Sequence, residues 1–229
     1  MATARQLPAD VYPETLSRLP PLKRETLNEA QQKAYDAVTA PRSGRLNLAG
    51  IKGPGGVILR MPKLAKPLGD VNRVLRSELG LDARLVELTI LATAREMQSQ
   101  FEWAMHEPVA LEVGVPAATI GMIRHGRPLA DVPEREAALI HLAREAVGAK
   151  QVTPATYATA LALFGEEELL HYSVLIASYA QGAILLCIVG QELHDHQSPG
   201  LPEQEKQRLS SPLFSCEPRF LRQTLSHRR

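Results

Sequence analysis

Segments of mixed apolar and polar residues, separated by Gly and Pro, predict a succession of helices between residues 27 and 196. A first helix is expected from Asn28, whose side chain would form a capping box with Gln31, to the break at Pro41. The later segments open with Pro and close with Gly, as helices in proteins often do. These further helices are predicted at 62–79, 83–113, 116–125, 133–147, 154–164 and 166–194.

Two of these regions stand out by length or composition. Residues 43–62 hold five glycines and two prolines around short apolar pairs, which predicts a loop. The helix at 83–113, capped by Asp82 and ended by Gly114, is far longer than the average of about 11–12 residues. We therefore expect it to be one continuous, central helix.

The composition supports an all-α fold in one domain. Apolar residues make up 45% of the chain and aromatic residues only 4%, a balance that favours packed helices over sheets. We expect a bundle of about six to seven helices at residues 27–196. Residues 1–26 are predicted to form an extended N-terminal arm suited to wrapping a neighbour, and residues 197–229 a flexible C-terminal extension or a strap on a partner subunit.

Charge and cysteine content limit the partners and the compartment. The 26 Lys and Arg residues nearly equal the 25 Asp and Glu residues, so no electrostatic bias favours nucleic acid or an acidic membrane. Cys187 and Cys216 are too few and too far apart for a disulfide framework or a zinc site. Because the first twenty residues lack the apolar core of a secretory signal, we expect a cytoplasmic protein that binds a small molecule or another protein.

One uncharged run, at residues 169–191, is long enough to span a bilayer. His171, Ser173, Ser178 and Gln181 interrupt it, however, and no basic flank follows. We therefore predict a helix buried in a bundle or an oligomer and no membrane partner.

Candidate chemistry lies on the long helix. Arg95, Ser99, Glu102 and His106 follow one another at steps of four, three and four, which places them in one stripe of a continuous helix. Such a stripe is also typical of a solvated helix surface, and spacing alone favours that interpretation. Trp103 and apolar residues of the preceding turns border the stripe, which favours a partly enclosed pocket instead.

The residues from Arg84 to Gly126 resemble the signature of carboxymuconolactone decarboxylases. They contain an Arg-x-x-Glu opening, an Ala-Arg-Glu centre, and a Phe-Glu-Trp-x-x-His close. The similarity extends over approximately residues 27 to 195. It implies an alkylhydroperoxidase D-like helical bundle that assembles into trimers, hexamers or other homo-oligomers.

The related alkylhydroperoxidase D group has a Glu, two Cys and a His at fixed spacing. The same spacing here gives Glu87, then Ser99 and Glu102 at the two cysteine positions, then His106. The chain therefore resembles a cysteine-free branch. Thiol peroxidase chemistry is disfavoured, because it needs a thiolate nucleophile and a resolving thiol.

The resemblance implies a lyase, needing no cofactor, that decarboxylates a carboxylated lactone or a related small organic acid. That reaction needs stabilisation of a dienolate and delivery of a proton to carbon. We expect His106 to donate the proton and Glu102 to orient the His106 side chain. Glu87 is the candidate for a proton relay. The substrate-binding candidates are Ser99, Trp103 and Arg95, the last as the anchor of a substrate carboxylate.

Other interpretations stay open. The scaffold is compatible with a cofactor-free dehydratase, isomerase or cyclase, or with a non-catalytic oligomeric protein. Arg95 is equally suited to a salt bridge between subunits, and Trp103 to core packing. His194 and His196 resemble metal ligands only superficially, because a His-x-His pair at a helix end directs the rings to different faces. No metal and no cofactor are expected.

Overall fold

The computed structural model describes residues 6–40 and 52–202. This part of the chain is all-α, as predicted, and its only β-type pairing is a bridge between Tyr12 and Ser17. It contains eight α-helices. These are α1 (Glu29–Thr39), α2 (Pro54–Ile58), α3 (Pro62–Arg73), α4 (Ala83–Glu96), α5 (Gln100–Glu112), α6 (Ala117–Arg124), α7 (Glu134–Ala143) and α8 (Pro154–Ile188), with π-helical turns after α3 (Val74–Glu78) and α7 (Arg144–Ala149).

The local signals at the helix ends are confirmed. Asn28 and Gln31 form the expected capping box at the start of α1. The Asp82 side chain accepts from the backbone N–H of Arg84 at 2.8 Å and so caps α4. These contacts satisfy N–H groups that have no partner within the helix. Gly80 follows the π-helical turn in the left-handed conformation, with φ of 66°.

The prediction of one continuous helix from 83 to 113 is wrong. Gln98 adopts a left-handed conformation with φ of 52°, and α4 ends before it. The N–H of Ser99 donates to the carbonyl of Ala94 at 2.9 Å, which closes the last turn of α4. The Ser99 hydroxyl then caps α5 by accepting from the N–H of Glu102 at 3.4 Å. The closing turn of α4 and the Ser99 cap of α5 thus stand where a continuous helix was predicted.

Two further boundaries differ from the sequence analysis. The predicted loop at 43–62 contains α2, whose N-terminal Pro54 follows Gly53 in a left-handed conformation; its residues 43–51 lie outside the described part. The last helix ends at Ile188 rather than near His194, because Gly190 adopts a left-handed conformation and closes it. The expected break at Gly165 is present as a kink inside α8.

The helix α4 is central, and it contacts α5, α6, α7 and α8. Its Leu88, Ile90 and Leu91 are fully buried in the main core. A smaller apolar cluster joins α2, α5 and the end of α8 through Val57, Phe101 and Leu186. Because α5 belongs to both clusters, its side chains are held from two sides.

The described part of the N-terminal arm packs on its own chain. The N–H of Arg18 donates to the carbonyl of Val189, and the N–H of Glu192 donates to the carbonyl of Leu16, each at 2.7 Å. The arm therefore contacts the segment just after α8. Whether it also wraps a neighbour, as predicted, stays a prediction.

The start of the C-terminal extension is also held in place. The Gln100 side chain donates to the carbonyl of Leu201 at 2.8 Å and accepts from the N–H of Gly200 at 3.0 Å. The rest of the predicted flexible extension, from residue 203 onward, lies outside the described residues.

Among the described helices, α8 is long and apolar enough to cross a membrane by length and composition. Only 33% of its most apolar window is buried within the chain. The same length and composition occur in core helices of water-soluble proteins and in helices at subunit interfaces. The predicted absence of a membrane partner stays a prediction.

Candidate active site

A cavity of about 250 Å³ lies between α2, α3, α5 and α8. Its walls are mainly aliphatic, and polar groups are contributed chiefly by α5 and α8. The polar side chains among its lining residues are Asn72, Glu102, His106, Ser178, Tyr179 and Gln181. Apolar walls with a few polar groups are typical of a small-molecule site.

His106 and Glu87 form a buried pair beside this cavity. His106 Nδ1 lies 2.7 Å from Glu87 Oε2, and the two side chains are only 2% and 3% exposed. A carboxylate at this distance favours the imidazole form that carries its proton on Nδ1 and leaves the lone pair on Nε2. Nε2 lies 3.6 Å from Glu102 Oε2, one helical turn away on α5.

Arg76 completes the array from the opposite side. Its Nη2 lies 2.5 Å from Glu87 Oε1, and its Nη1 donates to the Tyr179 hydroxyl at 3.2 Å. The Tyr179 ring also meets the His106 ring edge-on, with centroids 5.1 Å apart. Glu87 therefore bridges Arg76 and His106, and four helical segments fix the orientation of the imidazole.

The second carboxyl group of the site, that of Glu102, has surroundings different from those of Glu87. Burial raises the pKa of Glu102, and the nearby His106 and Arg76 only partly oppose this effect. Glu102 can therefore hold a proton at a pH at which an ordinary Glu is ionised. Burial likewise raises the pKa of the Tyr179 hydroxyl, which stays protonated at neutral pH. The cavity thus has a carboxyl group of raised pKa one helical turn from His106, and a phenol whose ring contacts the imidazole.

The structure brings the predicted residues Glu87, Glu102 and His106 together, but it does not bring the three substrate-binding candidates to the cavity. Arg95 donates through Nε to the carbonyl of Arg124 at 2.8 Å, at the end of α6. Ser99 caps α5. The prediction of one shared stripe is therefore wrong, because the break at Gln98 changes the direction of the chain between Arg95 and Glu102.

Trp103 is a core residue. Its side chain is fully buried, and its Nε1 donates to Glu107 Oε2 at 2.8 Å. The Arg124 guanidinium lies 5.5 Å from the centroid of its ring. Packing, one of the two roles considered for this residue, accounts for these contacts.

Three further residues of the site were not predicted from the sequence: Arg76, Tyr179 and Gly182. Arg76 and Tyr179 lie on segments far from His106 in sequence, so no helical spacing connects them to it. A Cβ atom at Gly182 would stand 3.2 Å from Glu102 Oε1, so the glycine leaves room for the carboxyl group. The only signal was indirect, since Tyr179 and Gly182 lie in the uncharged run at 169–191.

The structure also shows where potential metal ligands and Cys187 lie. No group of three or more His, Cys, Asp or Glu side chains within them is placed to hold a metal ion. Cys187 is exposed on α8 and is not among the residues that line the cavity.

The fold and the site define an all-helical protein with a buried Glu–His pair beside an apolar cavity. Residues 62–145 match the carboxymuconolactone decarboxylase family, and the chain therefore contains a domain of that family. The match runs from α3 to the end of α7 and includes Glu87, Glu102 and His106. It is shorter than the range of 27 to 195 expected from the sequence, and Tyr179 lies outside it. A comparison with curated proteins gives no match.

Proposed function

We propose that this chain is an enzyme that transfers protons on a small organic molecule in the cavity, without a cofactor. The observation that carries this proposal is the buried array in which Glu87 holds His106 while His106 and Glu102 both line the cavity. A surface role would not require two acids and an imidazole to be withdrawn from water together.

The array is suited to enolisation of a carbonyl compound. Nε2 of His106 would take a proton from the carbon next to the carbonyl, and protonated Glu102 would give its proton to the carbonyl oxygen. The products are an enol, an imidazolium and a Glu102 carboxylate. Glu87 would stabilise the imidazolium through Nδ1, and Arg76 would keep Glu87 in place. Return of the proton to a different carbon isomerises the substrate, and loss of a β-hydroxyl as water dehydrates it.

A decarboxylase is the second candidate, and the family domain favours it. Loss of CO₂ from a carboxylated lactone would leave a dienolate that His106 or Glu102 could protonate. This reaction requires a site for the substrate carboxylate, and Arg95, the residue expected to provide it, lies at the end of α6. The geometry therefore supports proton transfer better than it supports the complete decarboxylation.

Proton transfer can be tested without the natural substrate. Acetophenone and γ-valerolactone are enolisable, and NMR in D₂O follows replacement of their α-protons by deuterium. We expect wild-type protein to accelerate this exchange, and His106→Gln or Glu102→Gln to reduce the acceleration roughly 10²–10⁴-fold. Glu136→Gln is a matched control, because Glu136 is also buried and lies 2.9 Å from an arginine, Arg84, but does not line the cavity.

Equal exchange by wild-type and folded His106→Gln protein would overturn the proposal. Release of CO₂ from a carboxymuconolactone, lost in the same two variants, would instead support the decarboxylase. Circular dichroism and thermal melting would establish that each variant is folded.

A further inference from the structure

The charge of the cavity wall indicates which molecules can enter it. Among the described residues that line the cavity, none is Lys or Arg, and the only carboxyl group is that of Glu102. Seven of the lining residues carry aliphatic side chains: Val57, Ile58, Leu68, Val71, Leu185 and Leu186, with the ring of Pro54. The described part of the wall thus offers no cation to a bound anion.

The nearest arginine of the array is already engaged. Arg76 pairs with Glu87 through one terminal nitrogen and donates to Tyr179 through the other. Arg76 is not among the residues that line the cavity, and a substrate anion that drew it inward would weaken its pairing with Glu87, a carboxylate that is only 3% exposed. An anion in the cavity would therefore lose its hydration without gaining an ion pair.

A neutral carbonyl compound meets none of these penalties. Its carbonyl oxygen can accept from Glu102 when that carboxyl group holds its proton, while its hydrocarbon part displaces water from the aliphatic wall. The same arrangement places a carbon next to the carbonyl near Nε2 of His106, which lies 3.6 Å from Glu102.

We infer that the cavity binds an uncharged, largely apolar carbonyl compound, such as a ketone, ester or lactone, and discriminates against carboxylates. The inference rests on the proposed function only for the placement of the carbonyl group. The preference for neutral ligands itself follows from the composition of the wall. It separates this chain from a decarboxylase, whose substrate must enter as a carboxylate.

Three probes of nearly identical shape test this preference. Acetophenone, benzamide and benzoate differ only in whether a methyl group, a neutral amide nitrogen or a charged oxygen is attached to the carbonyl carbon. Binding to the full chain would be measured at near-neutral pH by calorimetry or ligand-observed NMR. We expect acetophenone to bind at least about tenfold more tightly than benzoate, with benzamide between them.

Two glycine variants locate the binding. Gly69 on α3 lines the cavity, is exposed, and has open space around the position of its missing Cβ. Gly69→Phe should therefore fold and obstruct the cavity, with loss of acetophenone binding. Gly121 on α6 has the same open space but does not line the cavity, so Gly121→Phe should bind like wild type.

A charge variant tests the physical cause. Asn72 is an exposed residue at the rim of the cavity, where a lysine can reach inward without being fully buried. Asn72→Lys should raise the affinity for benzoate several-fold and leave acetophenone nearly unchanged. Asn72→Gln, which adds length without charge, should change neither the affinity for benzoate nor that for acetophenone.

Binding of benzoate as tight as that of acetophenone would overturn the inference. So would acetophenone binding that Gly69→Phe does not reduce, or absence of acetophenone binding to wild-type protein. The proposed function is judged separately, by deuterium exchange. Selective binding without exchange would reject proton transfer and keep the inference, whereas exchange without selectivity would reject the inference alone.

Discussion

At the scale of single residues, the site depends on two glutamates with different surroundings. Glu87 is bonded to His106 and paired with Arg76, so its carboxylate is stabilised on both sides. Glu102 is also buried, but its nearest basic atom, His106 Nε2, is 3.6 Å away and beyond hydrogen-bond length. Glu87 is therefore suited to positioning His106, whereas Glu102 is suited to donating a proton.

The raised pKa of Glu102 gives a testable dependence of stability on pH. The folded state holds the Glu102 proton more tightly than the unfolded state, whose Glu has a pKa near the ordinary 4.5. The contribution of Glu102 to the free energy of unfolding is therefore largest below that value and falls as pH rises through the folded pKa. Because Glu102→Gln cannot ionise, its stability relative to wild type should rise between acid and neutral pH, as measured by urea denaturation.

Glu145 provides a control of opposite sign. Hydrogen bonds from Thr156 and the Thr153 backbone lower its pKa, so its stabilising contribution is present at neutral pH and is lost on acidification. The stability of Glu145→Gln relative to wild type should therefore fall as pH rises over its titration. If the stability of both variants relative to wild type changed with pH in the same direction, the raised pKa assigned to Glu102 would be contradicted.

At the scale of elements, the break between α4 and α5 decides which residues reach the cavity. The sequence was interpreted as one helix because Gln98 and Ser99 are both tolerated inside helices and neither Gly nor Pro marks the break. A left-handed Gln is uncommon, so local propensity gave no reason to expect it. The cost is compensated by packing, since α5 belongs to both apolar clusters.

Ser99 is expected to affect stability through its cap rather than by contact with substrate. Ser99→Ala should lower the free energy of unfolding by about 1 kcal/mol, and Ser99→Asn, which retains a capping oxygen, should restore most of it. Chemical denaturation would measure both. If the cap holds α5 in place, Ser99→Ala should also weaken the binding of acetophenone. Ser99→Asn should then restore the affinity together with the stability.

Thr153 supplies the matched control for this cap. Its hydroxyl accepts from the N–H of Thr156 at 3.3 Å at the start of α8, away from the cavity. Thr153→Ala should cause a similar loss of stability, without a change in the affinity for acetophenone. A loss of affinity in both Ser99→Ala and Ser99→Asn, with stability intact in the latter, would show that the Ser99 hydroxyl contacts the ligand.

At the scale of the whole molecule, the order of helices was predictable and the cavity was not. Capping residues, Pro and Gly act locally, so the sequence indicated most helix ends and the all-α fold. The cavity forms where α2, α3, α5 and α8 meet, and α2 lies in a segment predicted to be a loop. Glu87, Glu102 and His106 were found through the spacing of a family signature, whereas Arg76 and Tyr179 reach the site only through tertiary packing.

The outer face of α8 carries an exposed apolar stripe. Leu170, Val174, Ile184 and Ile188 fall within one stripe of the helix and are 56%, 47%, 49% and 66% exposed. Ala177 on this face is exposed too, Gln181 is exposed where the stripe borders the cavity, and the run at 169–191 contains no Asp, Glu, Lys or Arg. Contiguous apolar stripes of this kind are usually covered by a partner, and we propose that a second copy of the chain covers this one.

Disruption of the α8 stripe should convert the protein to a monomer. Val174→Glu with Ile188→Glu would place charges on the proposed contact, and light scattering across micromolar concentrations would give the mass. Burial of each apolar side chain stabilises an interface by about 1.5–3 kcal/mol, so the double variant should weaken association by at least about tenfold. Leu111→Glu is a suitable control, because Leu111 is 49% exposed but lies on α5. A wild-type monomer that instead co-floats with lipid vesicles, and loses this binding in the double variant, would assign the same stripe to a membrane surface.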